Sequence, residues 1–307
     1  MLNELEGVDA LFAAINDSIK DVPAQFEIVV VDDGSTDGTK DIIEEKLKCF
    51  PKWRLLILSR NFGQQPAYRA GIAEATGDAV IFMEADLQDP PSLIPELIER
   101  WQKGYKVVTG VRTSRAERGI RRWMFDLYHI IFYRLTDKIM PANSGMYSLI
   151  DRKIVDHLLE APETNLFLPA LKNWFGYPQT NVHYERMDRA AGKPKQTFRK
   201  LFNYGINGLT SFSDLPLQWI AILGFVISAA SFAYAGVLIL IKIARFFGYF
   251  ESLEVMGFTT LAVAIFCLGG IQIICIGIIG QYLARIYREI KCRPLYIVES
   301  KTTSNEL

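Results

Sequence analysis

Two long stretches of this chain carry no charge. Ile220–Ile241 and Val255–Ala284 contain no Asp, Glu, Lys or Arg, and each is long enough to cross a bilayer's hydrocarbon core of roughly 30 Å. One such run also fits a buried helix of a large soluble domain. Two in tandem predict two transmembrane helices, placed within 217–284. They raise the mean hydropathy to +0.13. Charge is asymmetric about them. Lys242 and Arg245 end the first run, Glu251 and Glu254 lie in the connecting loop, and Arg285, Arg288, Lys291 and Arg293 follow the second. The positive-inside tendency then sets both ends of a two-span chain in the cytoplasm. Before the first run, Phe198, Leu201, Phe202, Leu209 and Phe212 recur at helical spacing, with Arg199 and Lys200 between them. That pattern predicts amphipathic helices over 197–216, lying at the membrane interface and leading through Pro216 into the first span.

The remaining length has room for a full α/β domain, expected over 1–196, with 285–307 as a cytoplasmic tail. Lys plus Arg and Asp plus Glu both number 34. The balance itself argues neither way, and no nucleic-acid partner is expected. Cys49, Cys267, Cys275 and Cys292 have no metal-site spacing, and two of them sit inside the second apolar run. This is no disulfide framework, which suits a soluble part kept in the cytosol. A helical pattern from Asn3 runs through Leu11, Phe12 and Ile15 with no strand before it. A nucleotide-binding α/β domain ordinarily begins with a strand feeding that helix, so the natural first strand is expected to lie outside this sequence.

Short apolar runs then alternate with helical patterns. Phe26–Val31 reads as a strand ending in Asp32-Asp33-Gly34-Ser35-Thr36-Asp37-Gly38-Thr39. Carboxylates at a strand's C-terminal end lie where open α/β sheets bind ligands, and they can accept hydrogen bonds from a nucleobase or ribose. For Thr36 and Asp37 a helix-capping turn is the better reading. Leu55–Leu58 is the next strand, followed by Ser59-Arg60-Asn61-Phe62-Gly63 and a small-residue helix over Ala67–Ala75. Val80–Met83 is a buried strand that runs into Glu84, Asp86, Gln88 and Asp89 before Pro90 and Pro91 open a helix. The alternation of Glu84 and Asp86 aims both carboxylates to one side, where a hard cation could bridge them to a diphosphate. The plainer alternative is an acidic strand-to-helix loop with Asp89 as its cap. The β-α spacing implies a mostly parallel sheet covered on both faces.

Downstream the signals are broader. Arg112–Arg134 is basic and aromatic, fitting either a membrane-surface helix or one packed on the sheet. Ala142–Arg152 leads into a helix at Lys153–Leu159. His129, His157 and His183 show no partner pattern and read as structural. Arg186, Arg189 and Lys195 lie in a Gly-containing segment able to wrap a phosphate, arginine forks being suited to its oxygens; a solvated charge run is the competing view.

Asp32–Thr39, Arg60-Asn61-Phe62-Gly63, Ala85–Pro91, the Arg186…Arg189…Gly192…Lys195 segment and the Arg285–Tyr296 tail occur in this order. Together they resemble the polyprenyl-phosphate glycosyltransferases of glycosyltransferase family 2, which include bactoprenol glucosyltransferases and dolichol-phosphate mannose synthases. The resemblance implies a GT-A (Rossmann-like) fold, a nucleotide-sugar donor with UDP-glucose first, Mg2+ or Mn2+, a polyprenyl-phosphate acceptor at the bilayer, and a homotetramer. It places the nucleotide sugar at Asp32, Asp33, Ser35, Arg60 and Asn61, and the metal at Glu84, Asp86 and Gln88. Arg186, Arg189 and Lys195 would take donor or acceptor phosphates and, with Asp86, carry catalysis. Two departures stand out: Glu84 occupies a position usually Asp, and Met146 one that is commonly acidic. They leave open a membrane-anchored nucleotide-sugar sensor that has lost catalysis. A processive synthase would carry more spans and a Gln-x-x-Arg-Trp motif, which this chain lacks.

Overall fold

The computed structural model describes residues 1–113, 144–161, 163, 167–185, 215–247 and 257–303. The chain divides into two compact units, Met1–Ser211 with Cys292–Leu307, and Phe212–Lys291. Of the interfacial helices expected over 197–216, residues 197–214 lie outside the described residues, as do the cations Arg186, Arg189 and Lys195, while 215–216 already belong to the first long apolar helix.

The first unit is α/β. Its opening helix α1 (Val8–Ile19) buries Val8, Leu11, Phe12 and Ile15, one stripe at three- and four-residue spacing. That stripe packs on β1 (Ile28–Asp32) and β2 (Trp53–Leu58), where Phe12 stacks on Trp53 with ring centroids 3.9 Å apart. α2 (Thr39–Leu47) closes this core with Ile43 and Leu47. β1 and β2 run parallel, Val30 opposite Leu55. The chain's first residue lies alongside β1: Met1 N donates to Val31 O at 2.5 Å, and Asp33 N donates to Met1 O at 2.8 Å. On the other side of β2 lies β7 (Val298–Thr303), antiparallel, so the segment expected as a tail adds a strand.

A second, four-stranded sheet has the order β3 (Ala79–Phe82), β5 (Ser144–Asp151), β4 (Val107–Arg112), β6 (Gln179–Tyr184). Between the two sheets in sequence runs α3 (Gln64–Glu74). α4 (Ile94–Gln102) lays Ile94, Leu97 and Ile98 on the second sheet beside Tyr147 and Tyr184. α5 (Arg152–Glu160) starts at Asp151, whose carboxylate accepts from Lys153 N at 3.2 Å and also from Trp101 Nε1 and Lys106 Nζ. α6 (Leu168–Trp174) follows, packed against β5.

The α/β class is as expected, but the sheet is not mostly parallel. Among the described residues β1–β2 and β4–β6 are parallel, while β2–β7, β3–β5 and β4–β5 are antiparallel. The cause is that β5 enters between β3 and β4 from the opposite end, and β7 returns against β2.

Among the described residues the second unit consists of α7 (Leu215–Phe246) and α8 (Phe258–Ile290). Windows Leu217–Ile241 and Cys267–Ile290 have mean hydropathies of 2.1 and 1.8 and are long and apolar enough to cross a membrane. No part of either window is buried, so side chains such as Phe225 and Ile273 face outward, as lipid-facing residues would.

Candidate functional site

Three loops at the C-terminal ends of β1, β2 and β3 carry the expected site. At the end of β1, Asp32 is fully buried, and its carboxylate accepts from Ser35 N at 3.0 Å and from the Ser35 hydroxyl. Asp33 reaches across to the β2 loop, accepting from Phe62 N at 2.8 Å and Gly63 N at 3.0 Å. Burial pushes its carboxyl above the usual range against those two N–H donors, and Asp32 pushes the same way. The two loops touch at Gly34, whose φ is 73°; a β carbon there would lie 2.6 Å from the Arg60 carbonyl carbon, so only glycine fits. The structure thus brings Asp32, Asp33, Ser35, Arg60 and Asn61 together. Arg60 is exposed and lies over the Phe62 ring, 4.7 Å from its centroid. Asp37 accepts from Thr39 N at 3.0 Å at the start of α2, the capping turn expected there.

The third loop follows β3. Leu87 takes φ 57°, a left-handed conformation unusual for a leucine, and places Gln88 N 3.2 Å from Asp86 Oδ1. Glu84 accepts from Gln64 Nε2 at 2.9 Å, which ties the acidic loop to the first turn of α3. Burial pushes the Glu84 carboxyl up, Asp89 and Asp86 push it further, and Arg112 opposes them. Asp89 is no helix cap. It is buried, and its carboxylate accepts from the Tyr184 hydroxyl and from Arg112 Nη2 at 3.3 Å. Tyr147, raised like Tyr184 by burial and by Asp89, stays protonated and donates to Pro90 O at 2.7 Å.

Sequence reasoning missed Arg112, Tyr147 and Tyr184 as parts of this site, and the alternative in which Asp89 caps a helix is not what the structure shows. Met146 is buried in β5, apolar where an acid had been looked for. Among the described residues no three His, Cys, Asp or Glu side chains gather as a metal cage. The donors Glu84, Asp86 and Gln88 could nonetheless all offer oxygen, and a cation would relieve the crowding of Glu84 by Asp86 and Asp89. Mg2+ characteristically takes one or two carboxylates and completes its shell with water and substrate phosphate, so the donor set fits.

These features have a family. The chain belongs to glycosyl transferase family 2, whose profile matches residues 2–159, and its α/β unit is the GT-A domain expected of that family. It is 40% identical to an uncharacterized glycosyltransferase of Synechocystis over 97% of this chain and 92% of that one. It is 35% identical to the prophage-derived bactoprenol glucosyl transferase of Shigella flexneri over 99% of this chain and 97% of the relative. Among solved structures, a Pyrobaculum calidifontis mannosyltransferase in complex with GDP-Man and Mn2+ aligns with TM-score 0.45 and 17% identity over 80% of each chain.

Proposed function

We propose that this chain is a membrane-bound, inverting glycosyltransferase that moves a sugar, glucose from UDP-glucose first, onto polyprenyl phosphate. The observation that carries the reading is the near full-length similarity to a bactoprenol glucosyl transferase, which takes in both the acidic loop and the two long apolar helices. Asp32, Asp33, Ser35, Arg60 and Asn61 receive the nucleotide, and Glu84, Asp86 and Gln88 hold Mg2+ or Mn2+. A divalent cation there supplies Lewis-acid stabilisation of the departing diphosphate. Arg186, Arg189 and Lys195 offset the repulsion between two anionic substrates.

The nucleophile is a phosphate oxygen. A phosphate monoester has a second pKa near 6, so at neutral pH it attacks without a strong general base. That accommodates Met146. In-line displacement inverts the anomeric centre, so an α-linked donor yields a β-linked product. The chain leaves the α/β unit, passes through α7 and α8, and rejoins it at β7. Such a path supports two crossings with both ends on one face, the cytoplasmic face of the inner membrane. A tetramer is part of the same reading.

The test is purified protein in detergent with Mg2+ or Mn2+, undecaprenyl phosphate and a panel of radiolabelled nucleotide sugars. Label from one donor entering the lipid phase identifies both reaction and sugar. Nucleotide binding with no transfer from any donor would replace this reading with that of a sensor.

A further inference from the structure

The short helix α6 is tied to the site at both ends. Leu168 N donates to Gln65 Oε1 at 3.1 Å, two residues past the Arg60–Gly63 loop. Four residues on, Lys172 is 1% exposed and donates from Nζ to Gly145 O at 3.2 Å. Among the described residues that carbonyl is its one polar partner, and no carboxylate faces it. An ammonium so placed opposes folding, because burial without a counter-charge penalises the charged form. Methionine would fill similar volume without the penalty. A side chain that weakens the fold in this way beside a reaction site marks a residue kept for its action.

Gly145 shows what the action is. A β carbon there would stand 3.5 Å from Arg112 Nη2, so the guanidinium rests on this glycine. Arg112 in turn holds Asp89 and Tyr184 and opposes the charge on Glu84. The β3–β5 register runs Ile81↔Leu149 and Phe82↔Ser148, where β3 gives way to the acidic loop. We infer that Lys172 is a positioning residue: its bond to the Gly145 carbonyl fixes the seat of Arg112 against the acidic loop. The inference rests on the transferase reading above, and a readout independent of turnover separates the two.

The experiment compares wild type, Lys172→Met and Lys172→Gln. Each is followed by sugar transfer, thermal midpoint, and hydrogen exchange of the peptides covering 107–113 and 144–151. Methionine removes the donor, and kcat falls about tenfold, the scale of one charge-assisted hydrogen bond. The donor KM stays unchanged, both peptides exchange faster, and the thermal midpoint does not fall. Glutamine keeps a donor, and protection of both peptides recovers with kcat. Wild-type exchange and kcat in Lys172→Met, or a loss of activity that follows a lowered midpoint, would overturn the inference. If wild type itself transfers no sugar, the transferase reading fails, while the exchange comparison still decides whether Lys172 holds the β5 edge.

Discussion

Asp89 shows how a local pattern can mislead. An acidic residue before Pro90-Pro91 has the form of a helix cap, yet the carboxylate is buried against Arg112 and Tyr184, 23 and 95 residues away in sequence. No local periodicity encodes those partners. Removing one member of a buried ion pair strands the other, so Asp89→Asn is expected to destabilise the α/β unit by about 3 kcal/mol in urea denaturation. Loss of under about 0.5 kcal/mol, the usual range for a surface change, would show that Arg112 is satisfied without it. Glu84 and Asp86 stand out in the sequence because carboxylates that end a buried strand have few structural uses. They are not equivalent. Burial and the charges of Asp89 and Asp86 push the Glu84 carboxyl up, so Asp86→Asn should abolish transfer while Glu84→Gln retains a measurable rate; full activity in both variants would remove the metal assignment. Lys172 left no trace in the sequence, because a single lysine between Leu171 and Asn173 forms no motif and reads as the solvated position of a short helix.

At the scale of elements, α1, β1, α2, β2, β3 and α4 were readable, since each has a clean apolar period or a β-branched run with a turn behind it. β6 and β7 were not. Gln179–Tyr184 and Val298–Thr303 are polar, half-exposed edge strands, whose pairing comes from the neighbouring strand rather than from their own pattern. β5 begins in Ser144-Gly145, a turn signal that hid the buried run behind it. With β5 and β7 unseen, the mixed character of the sheets could not be inferred. Ending the chain after Ile297 should lower the thermal midpoint and weaken UDP binding, because β7 braces the strand that leads into the Arg60–Gly63 loop. Unchanged nucleotide affinity would show that the loop stands alone. α6 has its own signature. Burial lowers the Lys172 pKa from 10.5 to about 7, so across that interval the unfolded chain binds the proton more readily than the folded one. Stability is therefore lowest below about pH 7 and rises as the pH climbs toward 10.5. Lys172→Met should raise the urea midpoint at pH 7 and flatten its rise toward pH 9; a parallel pH profile in both proteins would contradict a buried ammonium.

At the scale of the whole molecule, the two uncharged runs and the charges flanking them carried most of the information, whereas the return of the chain to β2 was visible only in three dimensions. That return makes a topological demand that the native cysteines can report. Cys49 and Cys292 are exposed and belong to the same unit, while Cys267 and Cys275 lie in α8. An impermeant maleimide should label Cys49 and Cys292 together, from the cytoplasmic side only, in oriented vesicles. Labelling of the two from opposite sides would mean that α7 and α8 do not both span. On the function proposed, the acidic loop drives sugar transfer to a lipid phosphate. The most direct test is the entry of label from UDP-[14C]glucose into the lipid phase, with undecaprenyl phosphate or undecaprenol as acceptor, for wild type and Asp86→Asn. Transfer only by wild type and only to the phosphorylated lipid is the expected result; equal transfer by Asp86→Asn, or to the unphosphorylated alcohol, would contradict it.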